Sequence, residues 1–209
     1  MTIANTVANV LLDIEAVKIN TQQPFQYASG IQSPIYCDNR RLISFPSARQ
    51  TVIQAFIETI TTHDITHDTI AGTATAGIPH AAWIADRLNC PMLYVRGSAK
   101  AHGNKQQIEG VYHPNQTALV IEDLISTGSS AITAAHALQA QDITVNHCLA
   151  IFDYQLPQTQ DAFKHASIQC VCLTTLEALL EQAQQRKDIT PQDASMVQQW
   201  QLNPKDWQP

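Results

Sequence analysis

Two adjacent carboxylates, Glu122 and Asp123, follow the apolar run Ala118-Leu119-Val120-Ile121 and precede Leu124-Ile125-Ser126-Thr127-Gly128-Ser129-Ser130, a segment rich in hydroxyls around a glycine. These residue types combine into one kind of chemistry. Hydroxyls, backbone N–H groups and the start of a helix near Ser130 can wrap a phosphate. The carboxylates can take hydrogen bonds from sugar hydroxyls and face a hydrated Mg²⁺. A nucleotide-hydrolysing loop would carry the pattern Gly-x4-Gly-Lys-Ser/Thr, and no lysine is embedded here. The segment therefore suits a single phosphate ester on a sugar.

A second group of candidates is basic. Arg96, Lys100 and Lys105, with His102 among them, fall in or beside the stretch 97–116, which is rich in Gly, Asn and Pro and poor in apolar anchors. A loop of that length between two strong strands is usually functional, and its charge suits a mobile lid that closes over an anion and excludes water. Ala74-Thr75-Ala76-Gly77 sits at a strand-to-helix turn where backbone amides could approach a second anion.

The elements that must position these groups alternate. Apolar runs predict strands near 68–72, 91–96, 117–122, 143–152 and 168–173; helical spacing predicts helices near 77–89, 129–140, 157–165, 174–186 and 191–201. This is the βαβα pattern of a parallel α/β sheet with helices on both faces. Ligands of such sheets sit just beyond the carboxyl ends of the strands, and Glu122 and Asp123 are expected at that edge. Upstream, Ile3, Val7, Val10, Leu11, Ile14 and Val17 predict one amphipathic helix. Phe25–Ala28 and Ser33–Asp38 predict two extended segments joined at Ser29-Gly30, and Pro46 opens a helix carrying Val52, Ile53, Phe56, Ile57 and Ile60. No linker or repeat divides the 209 residues, so one domain is expected: an N-terminal hood region (1–45), a core (46–175) with its lid at 97–110, and C-terminal helices (176–209).

Composition narrows the function classes. Twelve basic against 18 acidic residues give a net charge of −6 and an isoelectric point near 5.7, which argues against a nucleic-acid or anionic membrane surface. The first residues lack an export signal and no apolar run reaches a membrane span, so a cytoplasmic protein is expected. The five cysteines, Cys37, Cys90, Cys148, Cys170 and Cys172, lack disulfide-like spacing and read as reduced thiols, with Cys170 and Cys172 on one strand face. His63-Asp64 and His67-Asp68 lie in a Thr-rich connection rather than a helical metal site. His136 and His147 read as packing residues, and Thr174 with Glu177 as a local helix cap.

Taken together, the stretch 120–129 resembles the phosphoribosyl pyrophosphate (PRPP) signature of type I phosphoribosyltransferases. Phe25–Gly30, Ser33–Arg40, Ala71–Ala81 and Lys100–Gly103 followed by Gln107–Gly110 are similar to the bacterial orotate enzymes of that family, in the form common in Gram-positive bacteria. The resemblance spans about residues 10–155. It implies the type I fold and transfer of a phosphoribosyl group from PRPP to orotate, giving orotidine 5'-monophosphate and pyrophosphate in pyrimidine (UMP) synthesis. It further implies Mg²⁺ as cofactor, carried by PRPP and water near Glu122 and Asp123, and a homodimer whose lid completes the neighbouring site.

By the same resemblance, Glu122 through Ser130 (Glu122, Asp123, Leu124, Ile125, Ser126, Thr127, Gly128, Ser129, Ser130), with Arg96, Lys100 and His102, bind PRPP. Lys100, His102, Glu122 and Asp123 are the catalytic candidates, and Thr75, Ala76 and Gly77 form the pyrophosphate loop. Ser126, Ala28 and Tyr36 contact orotate. The chain departs from the family where many members carry lysine at Ala28, Tyr-Lys at Thr75-Ala76 and a second basic residue at Gly97. The PRPP grip alone leaves open another acceptor, such as a purine, or a regulator that binds PRPP without turnover.

Overall fold

The apolar run that leads to the carboxylates becomes the middle of a six-stranded sheet. The structure, a computed structural model, describes residues 2–27, 30–97 and 107–208. In chain order they form α1 (Ile3–Asp13), β1 (Val17–Ile19), β2 (Phe25–Gln26), β3 (Gln32–Ser33), β4 (Ile35–Cys37), a 3-10 turn (Asn39–Ser44) and α2 (Pro46–Thr62). There follow β5 (Thr69–Thr73), α3 (Gly77–Leu88), β6 (Met92–Val95), β7 (Ile108–Glu109), β8 (Thr117–Ile125), α4 (Ser129–Gln139) and β9 (Thr144–Asp153). The chain ends with α5 (Pro157–His165), β10 (Gln169–Thr175), α6 (Leu176–Gln185) and α7 (Pro191–Leu202).

The large sheet has the order β10-β9-β8-β5-β6-β7, parallel except for β7. Its parallel strands are apolar on both faces because helices cover both. One face packs Ile70, Leu119, Ile121, Leu149 and Ile151 against α1, α2, α3, α6 and α7. The other packs Ala71, Val120, Cys148 and Ala150 against α4 and the Phe163 ring of α5. The expected α/β architecture with helices on both faces is thus present. Among the described residues, no helix is long and apolar enough to cross a membrane.

Three expectations are corrected here. The N-terminal stripe does not continue as a helix to Val17: Ile14 caps α1, Glu15 adopts a left-handed φ of 53°, and Val17 pairs with Cys37 in an antiparallel ribbon. The segment Ser33–Asp38 is not one extended unit. Pro34 separates β3, which pairs with β2, from β4, which pairs with β1. The distal end of the supposed lid is sheet, since Ile108 pairs with Val95 and Glu109 with Tyr94.

The small ribbons are braced by the C-terminal helix. Trp200 is 2% exposed, donates its indole N–H to the Gln32 carbonyl at 3.0 Å, and meets the Tyr27 and Tyr154 rings edge-on. The hydroxyls of Tyr27 and Tyr154 lie 3.2 Å apart, and Gln201 donates to the Tyr154 carbonyl. Trp200→Ala should therefore cost about 3–5 kcal/mol of stability, while Trp200→Phe, which loses mainly the N–H bond, should cost about 1 kcal/mol. Urea unfolding of the two variants checks this order; equal costs would contradict it.

Candidate active site

Chain connections diverge between β5 and β8. From β5 the chain passes through α3 to β6 on one side, and from β8 through α4 to β9 on the other. Such a point leaves a crevice at the carboxyl ends of the two strands. The two loops entering it are 74–76 and 126–128. Among the described residues, only α3 and α4 begin with neither a side-chain cap nor a proline. The N–H groups at the start of α4, and that of Gly77 at the start of α3, where Pro79 carries none and Ile78 donates to the Thr75 carbonyl, therefore remain available to an anion.

Two glycines make this convergence possible. A Cβ on Gly77 would collide with the carbonyl oxygen of Ile121, so only glycine lets α3 start directly against β8. Gly128 has φ +76°, and a Cβ there would lie 2.6 Å from the Phe163 ring; glycine accepts this conformation without strain. Around Gly128, the side chains of Ser126, Thr127, Ser129 and Ser130 are exposed. Thr159 Oγ1 fixes the loop from behind by donating to the Ser126 carbonyl at 2.5 Å. The peptide between Ala74 and Thr75 is cis.

Glu122 and Asp123 lie inside β8 rather than beyond its end, because pairing with β9 continues through Ile125 opposite Asp153. Pairing with β5 stops earlier, at Ile121 opposite Gly72. The backbone past Ile121 therefore lacks a strand on that side. Asn39 fills the role: it is 1% exposed and donates its side-chain N–H to the Asp123 carbonyl at 2.6 Å, while Cys37 Sγ holds its oxygen at 3.3 Å. A buried amide satisfying a strand carbonyl places the ribbon region and the carboxylates in fixed relation. Asn39 lies within the family-like string Ser33–Arg40, and its role depends on β8 running past the end of its pairing with β5.

The carboxyl pair has unusual electrostatics. Glu122 is 4% exposed, and burial first, then the charge of Asp123, pushes its pKa up to about 9. Burial also raises Asp123, against hydrogen bonding from Glu122 and the charge of Arg40. The pair thus favours sharing one proton, since two buried neighbouring carboxylates cannot both ionise cheaply. Arg40, ion-paired with Asp38 at 2.6 Å, also feels Tyr36 and Asp123. It is a second residue without an assigned role in the sequence, in the string Asp38-Asn39-Arg40.

The other candidates fall as follows. Leu124 is half-buried and Ile125 buried, so they can meet a ligand chiefly through backbone. Tyr36 is 37% exposed on β4, with its ring 5.7 Å from Phe25 and 6.3 Å from Tyr27, and so is surface-facing rather than core. Arg96 Nη1 lies 3.6 Å from Glu109. Ala28, Lys100 and His102 lie outside the described residues. Asp153 lines a groove with Gln155, Thr159, Glu177 and Gln201, and burial raises it to about 6. His136 is exposed, contrary to its apolar sequence context, and His147 is half-buried. The deeply buried histidine is His80 on α3, edge-on to Trp83 and kept neutral by burial, its pKa lowered to about 4. Thr175, not Thr174, caps α6, its hydroxyl accepting from the Ala178 N–H at 3.3 Å.

Among the described residues, no group of three or more His, Cys, Asp or Glu side chains is arranged to hold a metal ion. A hard cation here would thus take most of its ligands from a phosphorylated substrate and water, with Glu122 and Asp123 as the available protein oxygens. That fits an open two-carboxylate site.

An open parallel sheet, with two anion-ready loops and a carboxylate pair at its switch point, defines a sugar-phosphate transferase architecture. The family model described as Phosphoribosyl transferase domain matches residues 45–172. An orotate phosphoribosyltransferase of Coxiella burnetii is 50% identical over 206 residues, covering 99% of each chain. One from Bacillus subtilis is 47% identical over 203 residues, covering 96% of this chain and 94% of that one. The crystal structure of orotate phosphoribosyltransferase from Aeropyrum pernix superposes with a TM-score of 0.73 at 27% identity, covering 85% of this chain and 99% of that one. The chain belongs to the phosphoribosyltransferase family, and within it to the orotate phosphoribosyltransferases.

The raised Glu122 carboxyl has a consequence for stability. Between its ordinary value of 4.5 and about 9, the folded empty protein binds more protons than the unfolded chain. Stability from this group is full below that window and falls as pH rises through it. Glu122→Gln cannot ionise, so its melting temperature should fall less across the window than that of the parent. Thermal melts of both proteins over this range check it; parallel curves would contradict the assignment.

Proposed function

We propose that the chain carries out the orotate phosphoribosyltransferase reaction with the carboxylate pair and the two loops dividing the work. The reaction transfers the 5-phosphoribosyl group of PRPP to orotate, giving orotidine 5'-monophosphate and pyrophosphate in pyrimidine synthesis. The single observation that carries the residue assignment is the convergence of loops 74–76 and 126–128 on either side of Glu122 and Asp123, one anion-ready turn for each phosphorylated end of PRPP.

Thr127 through Ser130 and the start of α4 take the 5'-phosphate. Glu122 and Asp123 take the ribose 2'- and 3'-hydroxyls, which supply the hydrogen bonds that the shared proton supplies in the empty site. Thr75, Ala76 and Gly77 present backbone N–H groups to the diphosphate, joined by Arg96, Lys100 and His102. Tyr36 and Ala28 cover the orotate ring, and Ser126 contacts it. As the bond between C1' and pyrophosphate weakens, the sugar gains oxocarbenium character, and buried carboxylates favour that positive charge. Mg²⁺, held by PRPP oxygens and water beside Glu122 and Asp123, would supply charge neutralisation and a template for the diphosphate. Losing one such preorganised cation or donor typically costs about 10²–10³ in rate, so Lys100→Ala should be severe.

The enzyme acts in the cytoplasm as a homodimer in which the lid of one chain serves the neighbouring crevice. Two measurements follow. Given PRPP, Mg²⁺ and a panel of bases, the protein should form orotidine 5'-monophosphate from orotate; turnover of a purine with orotate inert would overturn the acceptor. Mixing inactive Lys100→Ala with inactive Asp123→Asn protein should recover part of the activity once subunits exchange. No recovery after exchange has been verified would contradict the shared site.

A further inference from the structure

Three of the five cysteines meet on one face of the sheet, on β9 and β10. Cys170 and Cys172 alternate along β10, the outermost strand, and both pack against the apolar cluster under α4 and α5. Their sulfurs are 3.8 Å apart and both residues are half-buried. Cys148, fully buried, stands opposite Cys170 in the register of β9 with β10. Cys37 and Cys90 lie on other elements.

The three thiols are not equivalent. Burial raises Cys37 and Cys90 above the ordinary thiol range. Cys170 goes the other way: hydrogen bonds from Cys148 first, and from Cys172 second, outweigh its burial and lower it. A thiol with thiolate character and partial access is the form that attacks oxidants.

Strand geometry selects its partner. Residues paired across neighbouring strands lie about 4.8 Å apart, well inside the Cα separation of about 4.4–6.8 Å that a disulfide spans. Residues two apart on one strand are separated by about 6.6 Å, at the upper limit of that span. Cys172 is thus placed to donate to Cys170, and Cys148 to bond with it.

We propose that Cys170 is an oxidation site that reacts with small peroxides and closes a disulfide with Cys148 across β9 and β10. In the first step the Cys170 sulfur forms an S–O bond to the peroxide as the O–O bond breaks. The displaced oxygen takes up a proton and leaves as water or an alcohol, and Cys170 becomes a sulfenic acid. The Cys148 sulfur then attacks Cys170, the S–S bond forms as the S–O bond breaks, and the hydroxyl leaves as water with the Cys148 proton. With hydrogen peroxide, two thiols lose two electrons and two protons, and the peroxide becomes two waters.

The test uses the whole folded protein, hydrogen peroxide, alkylation of remaining thiols and trypsin. Cleavage after Lys105, Lys164 and Arg186 places Cys148 on the peptide 106–164 and both Cys170 and Cys172 on 165–186. The expected product is these two peptides linked and lighter by two hydrogens, with Cys170 consumed about ten-fold faster than Cys90. Cys170→Ser should abolish the link, and Cys172→Ala should slow its formation. A loss of two hydrogens confined to 165–186 would move the bond to Cys172 and overturn the pairing. Cys90 oxidising as fast as Cys170 would overturn the site itself.

Discussion

Two neighbouring carboxyl groups held out of water, Glu122 and Asp123, constrain everything around them. Side by side and largely buried, they cannot both ionise without compensation, and burial holds both carboxyls above the ordinary carboxylate range. The surroundings moderate this without removing it. Arg40 faces Asp123 and the Ser130 hydroxyl faces Glu122, yet no cation pairs directly with either carboxylate among the described residues. The site is electrostatically unfinished, and a ligand with hydroxyl donors and a developing positive charge completes it. In the proposed reaction, PRPP on its way to orotidine 5'-monophosphate offers both.

The fold keeps that pair at a fixed place by simple means. Strand β8 runs past β5, so its last residues need a substitute for the missing neighbour, and Asn39 supplies it to the Asp123 carbonyl. Gly77 lets α3 begin against Ile121, one residue before Glu122. Helices α3 and α4 come from opposite faces of the sheet and still start at the same edge, because the connections diverge there. The ribbons that carry Tyr36 are tied to α7 through Trp200 and to β8 through Asn39. Tyr36, the carboxylate pair and the two loops thus share one mechanical frame.

Much of this was legible in the sequence, for identifiable reasons. The run Ala118–Ile121 and its alternating helices reveal the sheet because parallel strands are apolar on both faces. The hydroxyls around Gly128 mark a turn able to take a phosphate, and the structure leaves them exposed. What the sequence hides is set by pairing between distant segments. The apolar spacing to Val17 looks helical, yet Val17 is claimed by Cys37. Ile108 and Glu109 look like loop because two residues carry no periodicity, and only β6 makes them a strand. His136 sits among alanines in sequence but on the outer face of α4. The raised Glu122 carboxyl depends on burial, which spacing alone does not express.

The carboxyl pair, holding a shared proton in the free protein, should give it up when the sugar binds. Calorimetric titration of PRPP with Mg²⁺ into the enzyme, repeated at neutral pH in buffers of different ionisation enthalpy, counts protons exchanged on binding. Release of about one proton per site is expected, and a Glu122→Gln variant should release markedly less. Binding that releases no proton, or takes one up, would contradict it.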